Sequence, residues 1–413
     1  MTHVDPARRV RDPTLQRVWE QMGRPARCRV VGGWVRDRVL GRATGDLDLS
    51  FEGDAEAAAE PATTLAAALG TRAHLLGTAP HQVWRIDAPE LTIELWPMGD
   101  LDHESDMARR DYACNALSWE LPDGPLQDLV GGLADLRDQR LRAVSRSNLE
   151  DDPVRLLRAP RFLAQLEDFD LDERTAGWIR GLAPRLAAAP RERVGRELRT
   201  LLASAAPSRG LRWCLDLGLF RHAAPPGQLV DEPWLREHLN ATDRLRGADA
   251  GASTIAGLAF LLRSWGVPSP GRLSAYAWPQ TERDTALRAA RFLDEASAVV
   301  DAPPADRREL AWRAGAAFPA VLVMANAIDP DNPGWRRWRR QWQQSSAALT
   351  HPRPLLSGTE IAGIAGIEPG PDLGALIAAL TRAQVRCEVR TRSGAVRFIR
   401  SKVRSGDEFS PRP

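Results

Sequence analysis

The sequence predicts an α+β protein: a small β-sheet with helices at the start of the chain, then an all-helical remainder. Strand signals fall in the first third, at Val30-Val31, Asp46–Leu49, His81–Ile86 and Leu91–Leu95. From residue 165 onward the chain reads as helices, alanine-rich between 232 and 350, after a Pro/Gly-rich linker at Ala224–Asp231. A chain of 413 residues has room for two or more domains and a sizeable core.

Composition narrows the function. The net charge is +2, and the basic residues are arginines apart from Lys402. Arginine suits bidentate phosphate contact, although heavy use of Arg, Ala and Pro also follows from a GC-rich genome. A modest global charge leaves RNA binding open, because the footprint is local. Cys28, Cys114, Cys214 and Cys387 lie far apart with no CxxC spacing, which argues for reduced thiols and against a zinc site. The polar start and the lack of an apolar run long enough to span a bilayer lead us to expect a cytoplasmic protein with no membrane partner.

In order, residues 1–29 read as a polar lead-in helix feeding the first strand. Next comes Val30–Ser50, reading VVGGWVRDRVLGRATGDLDLS. An apolar strand end runs into Gly32-Gly33, a short helix over Trp34–Leu40, a break at Gly41 and Gly45, and a second strand. Asp46 and Asp48, at i and i+2 on that strand, point to one face. Such a pair repels unless a divalent cation lies between its members, and Mg²⁺ takes one or two carboxylates plus substrate phosphates. The pair therefore suits a nucleoside triphosphate. The glycines offer backbone N–H groups and room for phosphate oxygens, and Arg36 can add a charge clamp. Ala55–Leu69 is helical. Glu94, on the last strand before Pro97, is placed to be a third carboxylate, although a solvent-facing strand glutamate is the simpler reading.

Taken alone, a DxD pair is usually a solvated strand face. Preceded at this distance by GG-x-V-R-D, it resembles the head of the class II tRNA nucleotidyltransferase and poly(A) polymerase family. Arg109-Arg110-Asp111-Tyr112-Ala113-Cys114-Asn115-Ala116 is similar to that family's RRDxxxNA motif. The resemblance implies that Gly33, Arg36 and Arg110 contact the nucleotide, and that Asp111 with Asn115 hold the ribose hydroxyls. A carboxylate and an amide together suit a 2′-OH, which both donates and accepts. Asp128-Leu129-Val130-Gly131-Gly132-Leu133-Ala134-Asp135-Leu136 and Leu141–Val144 resemble the family's connector, whose glycines we expect to be structural.

Asp152, Arg155, Arg158 and Arg161 recur every three residues, which on one helix makes an inclined stripe. By itself such a stripe is a salt-laced surface helix. The resemblance implies instead that Asp152 and Arg155 read the incoming base without a template, with Arg158 and Arg161 near the triphosphate. Cytosine and adenine each present an amino donor beside an acceptor, matching an Asp that accepts and an Arg that donates; U and G place a carbonyl against the carboxylate. Asp151-Asp152 stand where the family usually has Glu-Asp.

Further on, Glu192-Arg193 with Glu197-Leu198 and Leu215–Phe220 resemble weaker family motifs. Trp335–Trp342 (WRRWRRQW) suits either RNA stacking or a helix packing its tryptophans inward. His238 and Asp243 read as ordinary helix residues. Leu355–Leu380 resembles the family's tail, where backbone N–H groups near Gly366, Gly370 and Gly374 could hold an RNA phosphate, and the final dozen residues read as disordered.

The resemblance thus implies a nucleotidyltransferase head with a small mixed sheet over residues 1–145, a helical base-recognising neck over 146–225, a helical body over 226–350 and a tRNA-binding tail over 351–413. Arg109 follows Glu94 by only fifteen positions, where relatives that build the whole CCA end carry a flexible loop of a few tens of residues. That shortness points to a CC-adding enzyme, transferring cytidines from CTP to the tRNA 3′ end with Mg²⁺, with a separate A-adding enzyme as a possible partner. The alternatives are a full CCA-adding enzyme also using ATP, a poly(A) polymerase, or a non-catalytic RNA-binding protein on the same scaffold.

Overall fold

The computed structural model describes residues 12–78, 82–245, 250–350 and 352–405. It divides into two compact units, Met1–Pro190 with Trp213–Ala223, and Arg191–Arg212 with Ala224–Pro413.

In the first unit the Asp12 carboxylate caps α1 (Pro13–Gln21) by accepting from the N–H groups of Thr14 and Leu15. There follow β1 (Cys28–Val31), α2 (Gly33–Val39), β2 (Asp46–Phe51), α3 (Ala59–Ala68), β3 (Ala73–Leu76), β4 (Val83–Ala88), β5 (Leu91–Pro97) and α4 (His103–Ala108). The chain continues through β6 (Leu117–Glu120), β7 (Leu126–Asp128), α5 (Gly132–Arg137), β8 (Arg140–Leu141), α6 (Arg146–Asp151), α7 (Arg155–Gln165), β9 (Asp170–Leu171) and α8 (Glu173–Leu182).

Seven strands form one sheet in the order β3-β4-β5-β2-β1-β6-β7. β2 and β5 pair in parallel and the other neighbours are antiparallel, so the sheet is mixed, as expected. Strand alternation gives it one dry face. Val30, Leu47, Leu49, Ile86 and Ile93 are fully buried there, each worth roughly 1.5–3 kcal/mol relative to exposure. The opposite face of β2 carries Asp46 and Asp48.

Five strands escaped the sequence reading: β3, β6 and β7 of this sheet, and the short parallel pair β8 and β9, the latter within a stretch read as helical. β3 is an edge strand whose Leu75 and Leu76 are 41 % and 43 % exposed, so it has no inward/outward alternation to recognise. His81, expected to begin a strand, lies outside the described residues. The connector after β7 is structural, as expected. Asp128 accepts from the N–H groups of Gly131, Gly132 and Leu133 at 2.8–2.9 Å. Fully buried Asp135 accepts from Arg140 and Arg142, both at 2.8 Å.

The second unit is helical throughout its described residues. Trp335 and Trp338 are buried and Trp342 stacks edge-on to Phe318 at 4.7 Å, so this helix turns its tryptophans inward and leaves Arg336, Arg339 and Arg340 outside. His238 bonds the Trp234 carbonyl at 2.8 Å and Asp243 accepts from Ser208, both structural roles. One stretch, Pro304–Ile328, has the length and hydropathy of a membrane span, contrary to the sequence reading; it is broken by Gly315 at φ +57° and 56 % of its apolar window is buried.

The last three helices, Gly358–Ala365, Pro371–Val385 and Arg392–Ser405, close around Leu356, Ile361, Leu376, Leu380 and Ile399. The chain is therefore helical through Ser405 where disorder was expected; residues 406–413 lie outside the described ones. The amides of Gly366 and Gly374 donate to Ala362 and Gly370 carbonyls at 2.8 and 3.1 Å, so those two are spent inside helices rather than offered to a phosphate.

Two glycines test this packing with opposite signs. A Cβ on Gly132 would overlap the Ala113 carbonyl oxygen, so Gly132→Ala should lose about 1–3 kcal/mol in urea unfolding. Gly363, in the Gly358–Ala365 helix, has nothing within 4 Å of a Cβ. Gly363→Ala should gain about 0.5–1 kcal/mol through helix propensity.

Candidate active site

Asp46 and Asp48 stand on the wet face of β2, and the parallel register sets Glu94 of β5 beside Asp48. Arg85 of β4 reaches Glu94 at 3.2 Å. Burial pushes the Asp48 pKa up, with Arg110 and Arg158 opposing and Asp46 adding to the rise. Glu94 is likewise raised, by burial and then by Asp48, against Arg85. Carboxyls that resist ionisation because they are desolvated and face one another are those a cation relieves. Among the described residues no group of three or more His, Cys, Asp or Glu is gathered closely enough to hold a metal ion by itself. The donor set therefore fits an ion content with two carboxylates that completes its shell with phosphate and water, which is the habit of Mg²⁺.

The glycine turn closes over this pair. Gly32 has φ +71° and ψ −134°, and a Cβ there would stand 3.3 Å from Asp48 Oδ2 and 3.9 Å from Arg110 Nη1. Absence of that Cβ is what lets Asp48, the turn and Arg110 converge. The Gly32 amide is itself used, donating to the Leu117 carbonyl at 3.3 Å. Arg110 also donates to Asp106 at 2.9 Å.

Three expected nucleotide ligands are placed differently. Arg36 is 8 % exposed, forks onto Asp37 at 2.9 Å through both Nε and Nη2, and donates from Nη1 to Asn115 Oδ1 at 2.8 Å. It braces the RRD turn instead of offering a clamp, because a desolvated guanidinium must have its donors satisfied. Asn115 thereby has its acceptor engaged. Asp111 is 3 % exposed; Oδ1 accepts from the Tyr112 N–H at 2.8 Å and Oδ2 faces Arg158 Nε at 3.0 Å. Burial works against its ionisation, but Arg158, the Tyr112 amide, Arg155 and Arg161 outweigh it and hold its pKa below the ordinary value. In this structure Asp111 is a buried counter-ion to Arg158.

The inclined stripe needs a correction. α6 ends at Asp151 and α7 begins at Arg155, so Asp152 is off the helix, extended at φ −134° and ψ 92°. The cause is Pro153, which disfavours helical backbone in the residue before it. Asp152 Oδ1 accepts from the Val154 N–H at 3.3 Å, and Oδ2 stands 3.7 Å from Arg155 Nε. Arg155, Arg158 and Arg161 do share one face of α7. Arg155 donates to the carbonyls of Arg109 and Asn148 at 2.8 and 3.1 Å.

Sequence reasoning missed three residues that hold these parts together. Asn148 Nδ2 donates to the carbonyls of Ala108 and Arg110 at 2.8 and 2.7 Å. Tyr112 donates its hydroxyl to the Arg155 carbonyl at 2.9 Å. The Phe162 ring lies under Arg161, Arg158 and Arg36 at 4.3, 5.4 and 5.5 Å. The only available signal was Ser145 as an N-cap, which marks the helix that carries Asn148.

Comparison with known proteins places this geometry. Residues 28–142 match the Poly A polymerase head domain family, and residues 168–228 match the family described as probable RNA and SrmB-binding site of polymerase A. A CC-adding tRNA nucleotidyltransferase of Synechocystis sp. is 27% identical, covering 92% of this chain and 95% of its own. An A-adding tRNA nucleotidyltransferase of Deinococcus radiodurans is 30% identical over 91% of this chain and 95% of its own. In fold, the chain is similar to a Bacillus stearothermophilus CCA-adding enzyme solved in complex with CTP, with a TM-score of 0.72 at 23% identity, covering 96% of this chain and 98% of that one.

Removing the Asp111 charge should expose its role as counter-ion. Asp111→Asn should cost about 2–3 kcal/mol near neutral pH in urea unfolding, at the low end for a broken buried pair because Arg158 keeps access to water. Since the folded pKa lies below the unfolded one, the wild-type advantage is full above about pH 4 and should shrink as pH falls further.

Proposed function

Because the chain belongs to the class II tRNA nucleotidyltransferase family, we propose that it extends the 3′ end of tRNA from CTP and ATP, as a CCA-adding type of enzyme. The observation that carries this is the convergence of Asp46 and Asp48 with the Gly32 turn and Arg110 on one sheet face.

In this reading the tRNA 3′-hydroxyl attacks the α-phosphate in line and pyrophosphate leaves. Asp46 and Asp48 would hold Mg²⁺, which would supply Lewis-acid help to the attacking hydroxyl and charge screening to the leaving group. Gly33 and Arg110 border the triphosphate, while Arg36 acts at one remove by fixing Asn115, whose Nδ2 is the donor it has for a ribose oxygen. Arg158 and Arg161 face the phosphates, with Asp111 setting their positions from below. Asp152 and Arg155 read the base. Catalysis is positioning and electrostatics, with no covalent intermediate. Residues 1–145 serve as the catalytic head, 146–225 as the neck, 226–350 as the body and 351–413 as the tail that holds tRNA.

A second reading, addition of the two cytidines alone with a separate enzyme supplying the adenosine, is favoured by one feature. Only residues 98–102 separate β5 from α4, leading directly to the RRD turn. That leaves little chain to reshape the pocket from C to A.

The test is end-labelled tRNA lacking its CCA end, with Mg²⁺ and CTP, ATP or both, on a denaturing gel. Two cytidines followed by an adenosine support the full reading. Two cytidines and no third residue support the second. A long ladder from ATP alone would mean poly(A) synthesis, and no extension of any RNA end would leave a binding protein. Asp46→Asn and Asp48→Asn should each lower turnover at least about 10²-fold. Asp152→Ala should relax discrimination against UTP by about 5- to 150-fold, read as the ratio of kcat/KM values.

A further inference from the structure

We propose that Trp96 is a stacking platform for the 3′-terminal base of the RNA being extended. The inference rests on the function proposed above and goes beyond it by placing the acceptor end.

Trp96 is the one aromatic residue among the described residues left exposed, at 38 %. Every other described Phe, Tyr and Trp is buried or half-buried, and an exposed indole offers a stacking surface. It lies on β5 two residues after Glu94, in register with Ser50 of β2, and so shares the face of Asp46 and Asp48. Trp96 is among the groups that oppose the rise of the Asp48 pKa, which places it beside that carboxyl. Trp96 and the Pro97 that follows it both belong to β5, so its backbone is extended.

The surroundings of Asp48 are polarised. On the β1 side stand the Gly32 turn and Arg110, and behind them Arg36, Asn115 and Asp111. Arg110 on this side suits a triphosphate, whereas Arg85 on the β5 side is already paired with Glu94. On the other side β5 supplies Glu94 and Trp96. In-line transfer sets the attacking oxygen opposite the leaving group. With the triphosphate on the β1 side, the RNA end arrives from the β5 side, where Trp96 is exposed. Stacking accepts any base, because every base has a π face. That property suits an acceptor whose terminal base changes with each addition, where hydrogen-bond readout would fail after one step.

The first measurement uses RNA with 2-aminopurine at its 3′ terminus, bound to the full chain without nucleotide. Wild type and Trp96→Phe should quench its fluorescence, and Trp96→Ala should not. In steady state, Trp96→Ala should raise KM for RNA by about 5- to 100-fold, with KM for CTP within about twofold. Trp96→Phe, which keeps a ring and loses the N–H, should recover most of that loss, and thermal melting should match wild type for both. The proposal would be overturned by quenching that persists in Trp96→Ala, by a rise in KM for CTP instead of RNA, or by an equal fall of kcat in both variants with KM for RNA unchanged, which would mean the indole acts only through Asp48. Normal extension with unaltered Trp96→Ala kinetics fails the stacking site alone. A wild-type chain that extends no RNA fails the functional reading itself.

Discussion

Arg155, Arg158 and Arg161 project from one face of α7, and like charges at that spacing repel. The buried carboxylate of Asp111 is what makes the arrangement stable. Its Oδ2 meets Arg158 at 3.0 Å, and Arg155 and Arg161 add their fields to the same oxygens. Phe162 supplies the second anchor, presenting its ring to Arg161, Arg158 and Arg36. A carboxylate 3 % exposed would be costly to bury alone, and guanidinium groups so crowded would be costly to bring together without it. Each half of the cluster is therefore a condition for the other. The RRD turn and α7, more than forty residues apart in sequence, fold as one piece because of it.

From that piece the rest of the site hangs. Asn148 grips the carbonyls on either side of Arg109, and Tyr112 returns a hydroxyl to the Arg155 carbonyl. Arg36 ties the glycine turn to Asn115. The Gly131-Gly132 connector presses against Ala113 from below, where no Cβ would fit. β2 then brings the carboxylates to this frame while its alternate residues, Leu47 and Leu49, are fully buried on the dry face. One strand thus supplies both core and chemistry, and the same burial that secures it raises the Asp48 pKa. Asp48 and its register neighbour Glu94 are each raised by burial, and a cation between such carboxyls would relieve both.

The parts legible in the sequence were those with a local rule. Alternation in Asp46–Leu49 gave β2 and the facing of its carboxylates, and Gly32-Gly33 marked a backbone needing positive φ and close approach. What stayed hidden depended on contacts distant in sequence. Nothing local says that Asp111 is buried against Arg158, that Arg36 turns inward to Asn115, or that Phe162 carries three cations. The stripe from Asp152 to Arg161 misled for a different reason. Counting by threes ignored Pro153, whose effect on the preceding residue is itself a local rule and was available. The tryptophans at 335–342 were undecidable by pattern, since stacking on RNA and packing on Phe318 call for the same spacing.

Displacing Asp152 from the helix changes how template-free selection works in the proposed reading. On a helix its side chain could swing with α7; off it, the residue is held extended by Pro153 and by the bond from the Val154 amide. Its partner Arg155 is restrained as well, through the Arg109 and Asn148 carbonyls. A carboxylate so placed rejects a mismatched base by repulsion, so selectivity rests on the misfit of U and G as much as on the fit of C or A. Arg155 is bonded to the same turn that carries Arg110, so a base seated wrongly disturbs the group beside the phosphates. Discrimination then falls on the chemical step as well as on binding, because the α-phosphate is aligned only when the base edge is satisfied. In such a site the pairing residues do not merely recognise the nucleotide; they set the position from which it reacts.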